Sequence, residues 1–198
     1  MYIIGLTGGI SCGKSAVAET LRRYFGAVTL DIDKITRWLL QPGGELFDVY
    51  VRHFGKKILT EDGTLDRKLI GEIIFNDVGE RQWINSVAHP ILLQKARDFL
   101  VECSQIGARL VVLEVPLLFE AVWEFLFDEI WAVYTRRKEQ FYRLMARDKL
   151  TEEQAMARIK AQMPMSEICA RADVKIFNLG GYKKIRQRVT KALRGRTF

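Results

Sequence analysis

Residues 2–15 read Tyr2-Ile3-Ile4-Gly5-Leu6-Thr7-Gly8-Gly9-Ile10-Ser11-Cys12-Gly13-Lys14-Ser15. An apolar run too short for a helix opens into a glycine turn and closes on Gly-Lys-Ser, and Tyr2 to Leu6 reads as a buried strand. From Lys14 onward Val17, Ala18, Leu21 and Phe25 recur at helical spacing and stop before Gly26, a normal helix end. Strand, glycine turn and helix are the setting in which G-x-x-x-x-G-K-S holds a phosphate, because loop N–H groups and the positive helix end must both face the anion. Gly8, Gly9, Ile10, Ser11, Cys12, Gly13, Lys14, Ser15 and Ala16 are therefore the candidate nucleotide-binding residues. Lys14 supplies charge at the transferred phosphate, and the Ser15 hydroxyl is placed to ligate Mg²⁺ beside ATP.

Working outward, Ala27 to Leu30 is a second short apolar run, closed by Asp31-Ile32-Asp33. In an open α/β sheet, ligands lie beyond the carboxyl ends of the strands, where a carboxylate can take the proton of a hydroxyl attacking the γ-phosphate. Asp33 is favoured as that base, with Asp31 as a cap or metal-shell residue. The competing reading is that one of the two only caps a helix beginning at Lys34. Leu110 to Val115, Asp128 to Thr135 and Val174 to Phe177 supply three further strands. Strands alternating with helices imply an α/β fold, a doubly wound five-stranded parallel sheet of the P-loop NTPase type.

Two segments interrupt that alternation. Residues 36–107 read as an inserted helical subdomain. Within it Asp66 caps a helix through Phe75, Glu80 to Val87 forms another, and His89-Pro90 starts a third. Residues 136–165 read as a helical lid: Arg136, Arg143 and Arg147 lie in line opposite Phe141, Leu144 and Met145, and a second helix opens at a Thr151/Gln154 capping box. Phosphoryl transfer needs positive charge over the transferred group, which makes Arg147 and Arg143 candidates; in isolation they would read as soluble surface. The remaining stretches, 1–35, 108–135 and 170–198, form the core of a single domain.

With 198 residues, 48% hydrophobic and 28% charged, the chain can bury one substantial core. No apolar stretch approaches the length of a membrane span, and the N-terminus does not read as a signal peptide. Three scattered cysteines fit neither a disulfide framework nor a zinc site, so a reducing, cytoplasmic setting is expected. The net charge of +7 resides entirely in Lys183, Lys184, Arg186, Arg188, Lys191, Arg194 and Arg196; without them 24 bases face 24 acids. That tail reads as a solvated face, and its aromatics do not interleave to form a stacking platform, so nucleic acid is not an expected partner. Glu114, inside an apolar strand, requires a partner such as Lys14 or a metal-bound water. Cys12, at a helix start, is either a thiol of lowered pKa or an inert small residue, the second being favoured.

Several separated motifs together resemble the dephospho-CoA kinase family. They are Gly5 to Ile10 running into Gly13-Lys14-Ser15, Asp31-Ile32-Asp33 with Arg37, Gln41-Pro42-Gly43, Gly63 to Arg67, Ile74-Phe75, Asn85 with His89-Pro90, Val115 to Glu120, Arg143 to Arg147, Ala161-Gln162, and Asn178 before Gly180. The resemblance implies ATP-dependent phosphorylation of the ribose 3′-hydroxyl of dephospho-CoA. It implies an insert that binds dephospho-CoA, with Arg37, Arg67, Asn85 and His89 as contacts and Arg143 beside them. It also implies Asp33 as base, Arg147 as the lid arginine, and Asn178 near the adenine of ATP. The chain departs from the pattern at three places. Ser11-Cys12 stands where Gly-Ser or Ala-Ser is usual, which removes a glycine from a place where a positive φ is expected; Ala16 replaces the hydroxyl residue that usually follows the motif serine; and Phe177 stands before Asn178 where an aspartate is common. Two other readings remain: another small-metabolite or nucleotide kinase of the same fold, or a nucleotide-binding module whose basic tail contacts RNA or a membrane.

Overall fold

The computed structural model describes residues 1–196 and Phe198. Five strands, β1 (Tyr2–Gly8), β2 (Val28–Asp31), β3 (Leu110–Glu114), β4 (Glu129–Tyr134) and β5 (Val174–Phe177), form one parallel sheet in the order β2-β3-β1-β4-β5. Every residue of β3 is buried, as its unbroken apolar run requires of a strand covered on both faces. β1 runs two residues further than its apolar pattern, because Thr7 and Gly8 pair with Ala132 and Val133 through backbone groups that side-chain character does not report. A β-carbon on Gly8 would stand 2.1 Å from the Val133 carbonyl oxygen, and its φ of 135° is one that glycine alone adopts readily.

The chain divides into two compact units, Met1–Asp31 with Phe99–Phe198, and Ile32–Asp98. In the first, α1 (Lys14–Phe25) packs beside the C-terminal helix α9 (Gly181–Ala192). Val17, Leu21, Ile185 and Val189 join Ile4, Leu6, Val112, Trp131 and Val133 in one apolar core. The lid segment is a hairpin of α6 (Arg137–Asp148) and α7 (Glu152–Lys160), turned at Lys149 in a left-handed conformation. The capping box forms: Thr151 Oγ1 accepts from the Gln154 N–H at 3.3 Å, and Gln154 Oε1 accepts from the Thr151 N–H at 3.1 Å. Arg136 precedes α6 instead of belonging to it. The short helix α8 (Met165–Arg171) follows Pro164 and is too brief for periodicity to reveal.

The second unit holds α2 (Ile32–Leu39), α3 (Glu45–Phe54), α4 (Arg67–Asn76) and most of α5 (Val78–Gln105). α2 begins at Ile32, not Lys34: Asp31 is still paired with Glu114, so strand passes directly into helix and Asp33 falls inside the first turn, where it cannot serve as an N-cap. Asp66 caps α4 as expected, accepting from the N–H groups of Lys68 and Leu69, both at 3.0 Å. The expected break before His89-Pro90 is absent, and α5 runs unbroken through Pro90. Ile84, Ala88, Leu92 and Ala96 are all buried and recur every four residues across the proline, which itself lies exposed. One continuous apolar stripe outweighs the ~3 kcal/mol that an interior proline costs a helix.

Much of the basic tail is engaged internally. The Arg186 guanidinium lies 4.0 Å from the Tyr24 ring centroid, and Arg188 donates to the carbonyls of Phe177 and Leu179. Arg196 donates to both carboxylate oxygens of Glu129, which also accepts from the Trp131 indole at 2.8 Å. Burial alone would raise the Glu129 carboxyl, but the donation from Arg196 and Trp131 outweighs it and holds the carboxyl below its usual 4.5. A depressed carboxyl contributes stability that is full above the unfolded pKa and is lost as pH falls through the folded one. Glu129→Gln should therefore lower the urea midpoint at neutral pH, and the difference from the parent should shrink progressively as the pH falls below about 4; equal midpoints at pH 7 would mean that the pair is thermodynamically silent.

Candidate active site

At the carboxyl end of the central strand β1, the chain turns through Gly9 to Gly13 and enters α1. Gly13 is the N-cap, at φ 91°, and no side chain caps the helix. The N-terminal N–H groups of α1, which have no carbonyl of their own to meet, are thus presented to an anion. Lys14 Nζ donates to the carbonyls of Gly8 at 2.9 Å and Gly9 at 3.2 Å, holding its charge over the loop. Ser15 follows, exposed, one residue into the helix. Ser11 has a positive φ, 56°, in the left-handed region that favours glycine, and its hydroxyl is buried without a hydrogen-bond partner.

A carboxylate pair stands at the ends of β2 and β3. Asp31 lies opposite Glu114 in the parallel register, and Glu114 in turn lies beside Leu6 of β1. Glu114 is buried, and it, Asp31, Asp33 and Lys14 all have polar partners. Asp33 is exposed in the first turn of α2, two residues beyond the sheet.

Asn178 occupies a place its sequence position does not suggest. Buried just past β5, its side-chain amide donates to the Cys12 carbonyl at 2.8 Å, and its backbone carbonyl accepts from Thr135 Oγ1 at 2.8 Å and Arg143 Nη1 at 3.5 Å. A β-carbon on Gly13 would sit 1.9 Å from that amide nitrogen, so the absence of a side chain at Gly13 is what admits the contact. Arg143 is therefore next to the loop. Arg147 instead donates twice to its neighbour Asp148, at 2.7 and 3.1 Å, and shares that carboxylate with Arg158. Cys12 is buried, and burial pushes its thiol up despite the nearby Lys14, so the lowered-pKa alternative for this residue does not hold.

In the other unit Asn85 and His89 stand one turn apart on α5, Arg67 is the first residue of α4, and Arg37 lies in the last turn of α2. Burial lowers the His89 pKa, so the ring is neutral at physiological pH.

Among the described residues, no group of three or more His, Cys, Asp or Glu side chains could hold a metal ion, and no helix is long and apolar enough to cross a membrane. A magnesium ion that enters on nucleotide phosphates needs no such cage; one hydroxyl at the helix start and carboxylates at neighbouring strand ends are the donor set it uses. Ser15, Asp31 and Glu114 fit that requirement.

Residues 2–184 match the model of the dephospho-CoA kinase family. The chain belongs to this family. A dephospho-CoA kinase of Carboxydothermus hydrogenoformans is 43% identical over 187 residues, covering 94% of this chain and 90% of the relative. One of Geobacter sulfurreducens is 41% identical, covering 96% and 95%. A crystal structure from Thermus thermophilus superposes with a TM-score of 0.80 at 33% identity, over 97% of this chain and 95% of that one. The dephospho-CoA kinase of Campylobacter jejuni gives 0.67 at 29% identity, with the same coverage. A shikimate kinase of Bacteroides thetaiotaomicron, 13% identical with a TM-score of 0.55 over 97% and 96% of the chains, shares the fold alone.

The loop and Arg143, both sequence candidates, each contact Asn178, whereas Gln140, a polar residue four places before Leu144 on the apolar side of α6, was not expected near the loop. Its side chain is buried and reaches the loop, and a lone amide in an apolar stripe was the available signal. Iodoacetamide at neutral pH should leave Cys12 unmodified in peptide mass maps of the native protein. Rapid alkylation there would contradict its burial.

Proposed function

We propose that this kinase moves the γ-phosphate of ATP to the ribose 3′-hydroxyl of dephospho-CoA, and that the loop from Gly8 to Ala16 holds the nucleotide. Membership of the family makes the chain an ATP-dependent phosphotransferase with an alcohol acceptor. The observation that carries the residue assignment is the start of α1, capped by no side chain, with Lys14 folded across the loop carbonyls.

Lys14 would neutralise charge on the phosphates, and Ser15 would hold Mg²⁺, which supplies Lewis-acid charge at the transferred group. Arg143, beside the loop, and Arg147, on the same helix one turn on, would bring further positive charge once the Asp148 contact of Arg147 is exchanged. Asp33 would take the 3′-hydroxyl proton; Asp31 and Glu114 would orient the metal's water shell. Arg37, Arg67, Asn85 and a neutral His89 would bind dephospho-CoA. The amide of Asn178, committed to Cys12, would serve the nucleotide by bracing the loop and through its neighbourhood to the adenine. A cytoplasmic location goes with the free thiols and with a substrate made inside cells. The gain in rate would come from positioning and charge, with no covalent intermediate.

The test is conversion of dephospho-CoA to coenzyme A by the purified chain with ATP and Mg²⁺, with AMP, adenosine and shikimate as competing acceptors. Conversion confined to dephospho-CoA is expected; equal use of another acceptor would overturn the substrate assignment. Lys14→Ala should lower kcat about 100-fold or more. Asp33→Asn should lower kcat while leaving dephospho-CoA affinity within about threefold; normal turnover by that variant would move the base to Asp31.

A further inference from the structure

The phosphate loop is gripped from outside by the lid hairpin at a single residue, Ile10. Its N–H donates to Gln162 Oε1 at 2.7 Å, and its carbonyl accepts from Gln140 Nε2 at 3.0 Å. Its side chain packs into the hairpin's own apolar cluster of Leu144, Ala155 and Ile159. The Ile10 amide is thereby committed to the lid instead of to a phosphate.

Gly9 to Cys12 form a β-turn, closed by the Cys12 N–H donating to the Gly9 carbonyl at 3.2 Å. Ser11, its third residue, has φ 56°, while Ile10 is not among the residues of positive φ. That sign pattern is the type II turn, which differs from type I by a flip of the central peptide and calls for glycine at the third position. Serine pays for the left-handed conformation with its β-carbon, so the flipped-back type I arrangement is favoured by local sterics alone. The central peptide is Ile10–Ser11, and its carbonyl is the one that Gln140 holds. A trans peptide directs C=O and N–H to opposite sides. With the carbonyl fastened to α6, the Ser11 N–H is turned away from the lid.

We propose that Gln140 is a positioning residue: its bond to the Ile10 carbonyl keeps the Ile10–Ser11 peptide in the type II orientation, presenting the Ser11 N–H to the nucleotide phosphates, in a loop that lacks the glycine which would hold that orientation unaided. This rests on the loop being the ATP site. It makes lid and loop one mechanical unit, so that ATP affinity depends on a side chain that does not touch ATP.

The experiment measures the Kd of ATP·Mg²⁺ directly by titration calorimetry, without any acceptor, so that failure of the dephospho-CoA assignment leaves the result readable. Gln140→Leu, which keeps the volume and removes the donor, should weaken ATP roughly five- to tenfold. Ser11→Gly in the Gln140→Leu background should restore most of that loss, because glycine carries the positive φ without help. A merely structural glutamine would not be rescued at Ser11. Gln140→Met serves if the leucine variant fails to fold, with far-ultraviolet circular dichroism and Tm confirming the folded state. Parent-like ATP affinity of the folded Gln140 variants, or additive effects of the two substitutions, would overturn the proposal.

Discussion

A hydrogen atom is the only side chain that fits at Gly8, because a β-carbon there would collide with the Val133 carbonyl. β1 is held by β3 as far as Leu6 and by β4 as far as Gly8, where the phosphate loop begins. A loop that must aim several N–H groups at one anion gains precision when its first residue cannot move, and the flanking strands supply that anchor. The far end is anchored by entry into α1, and the outer rim by Asn178 and the two lid glutamines. The site is a short backbone arc restrained at four places, by β4 at Gly8, by the lid glutamines at Ile10, by Asn178 at Cys12 and by entry into α1 at Gly13.

The sheet and the loop were legible because each rests on local patterns: apolar runs of strand length, and glycines at fixed offsets from Lys14. Element ends were less so. Thr7 and Gly8 join β1 through backbone pairing alone, and Pro90 sits harmlessly within α5 because the stripe from Ile84 to Ala96 is buried on the other side. Local signals of a break lose to a tertiary contact that no window of sequence contains. At the candidate site, the loop residues and Arg143 are readable from sequence as candidates, and the contacts that restrain them are not. Gln140 meets Ile10 across 130 residues, and Asn178 meets Cys12 across 166. Ser11 is the instructive case: its departure from glycine was visible, the positive φ it bears matches what the departure implied, and only the structure shows the compensating bond.

The basic tail illustrates how net charge misleads when it is counted without partners. Arg186, Arg188 and Arg196 fasten α9 and the chain end to Tyr24, to the carbonyls after β5 and to Glu129. A cluster that reads as an attractor for polyanions is in good part the fastening of a last helix that covers α1. The lysines that remain exposed on α9 form the ordinary solvated face of such a helix.

The strand order has a consequence for how the molecule is made. β1 is the first strand synthesised, yet its two neighbours are β3 and β4, so Tyr2 waits for Leu110 and Gly8 for Val133. Such long-range parallel pairing is slow, because the intervening chain must be ordered before any contact rewards it. Until β3 and β4 have been made, the apolar run from Tyr2 to Leu6 has neither of its neighbours in the sheet, and the loop at its end has no anchor. ATP can therefore stabilise only the nearly finished chain, and a nascent chain halted before β4 would be a ready client for chaperones and no kinase at all.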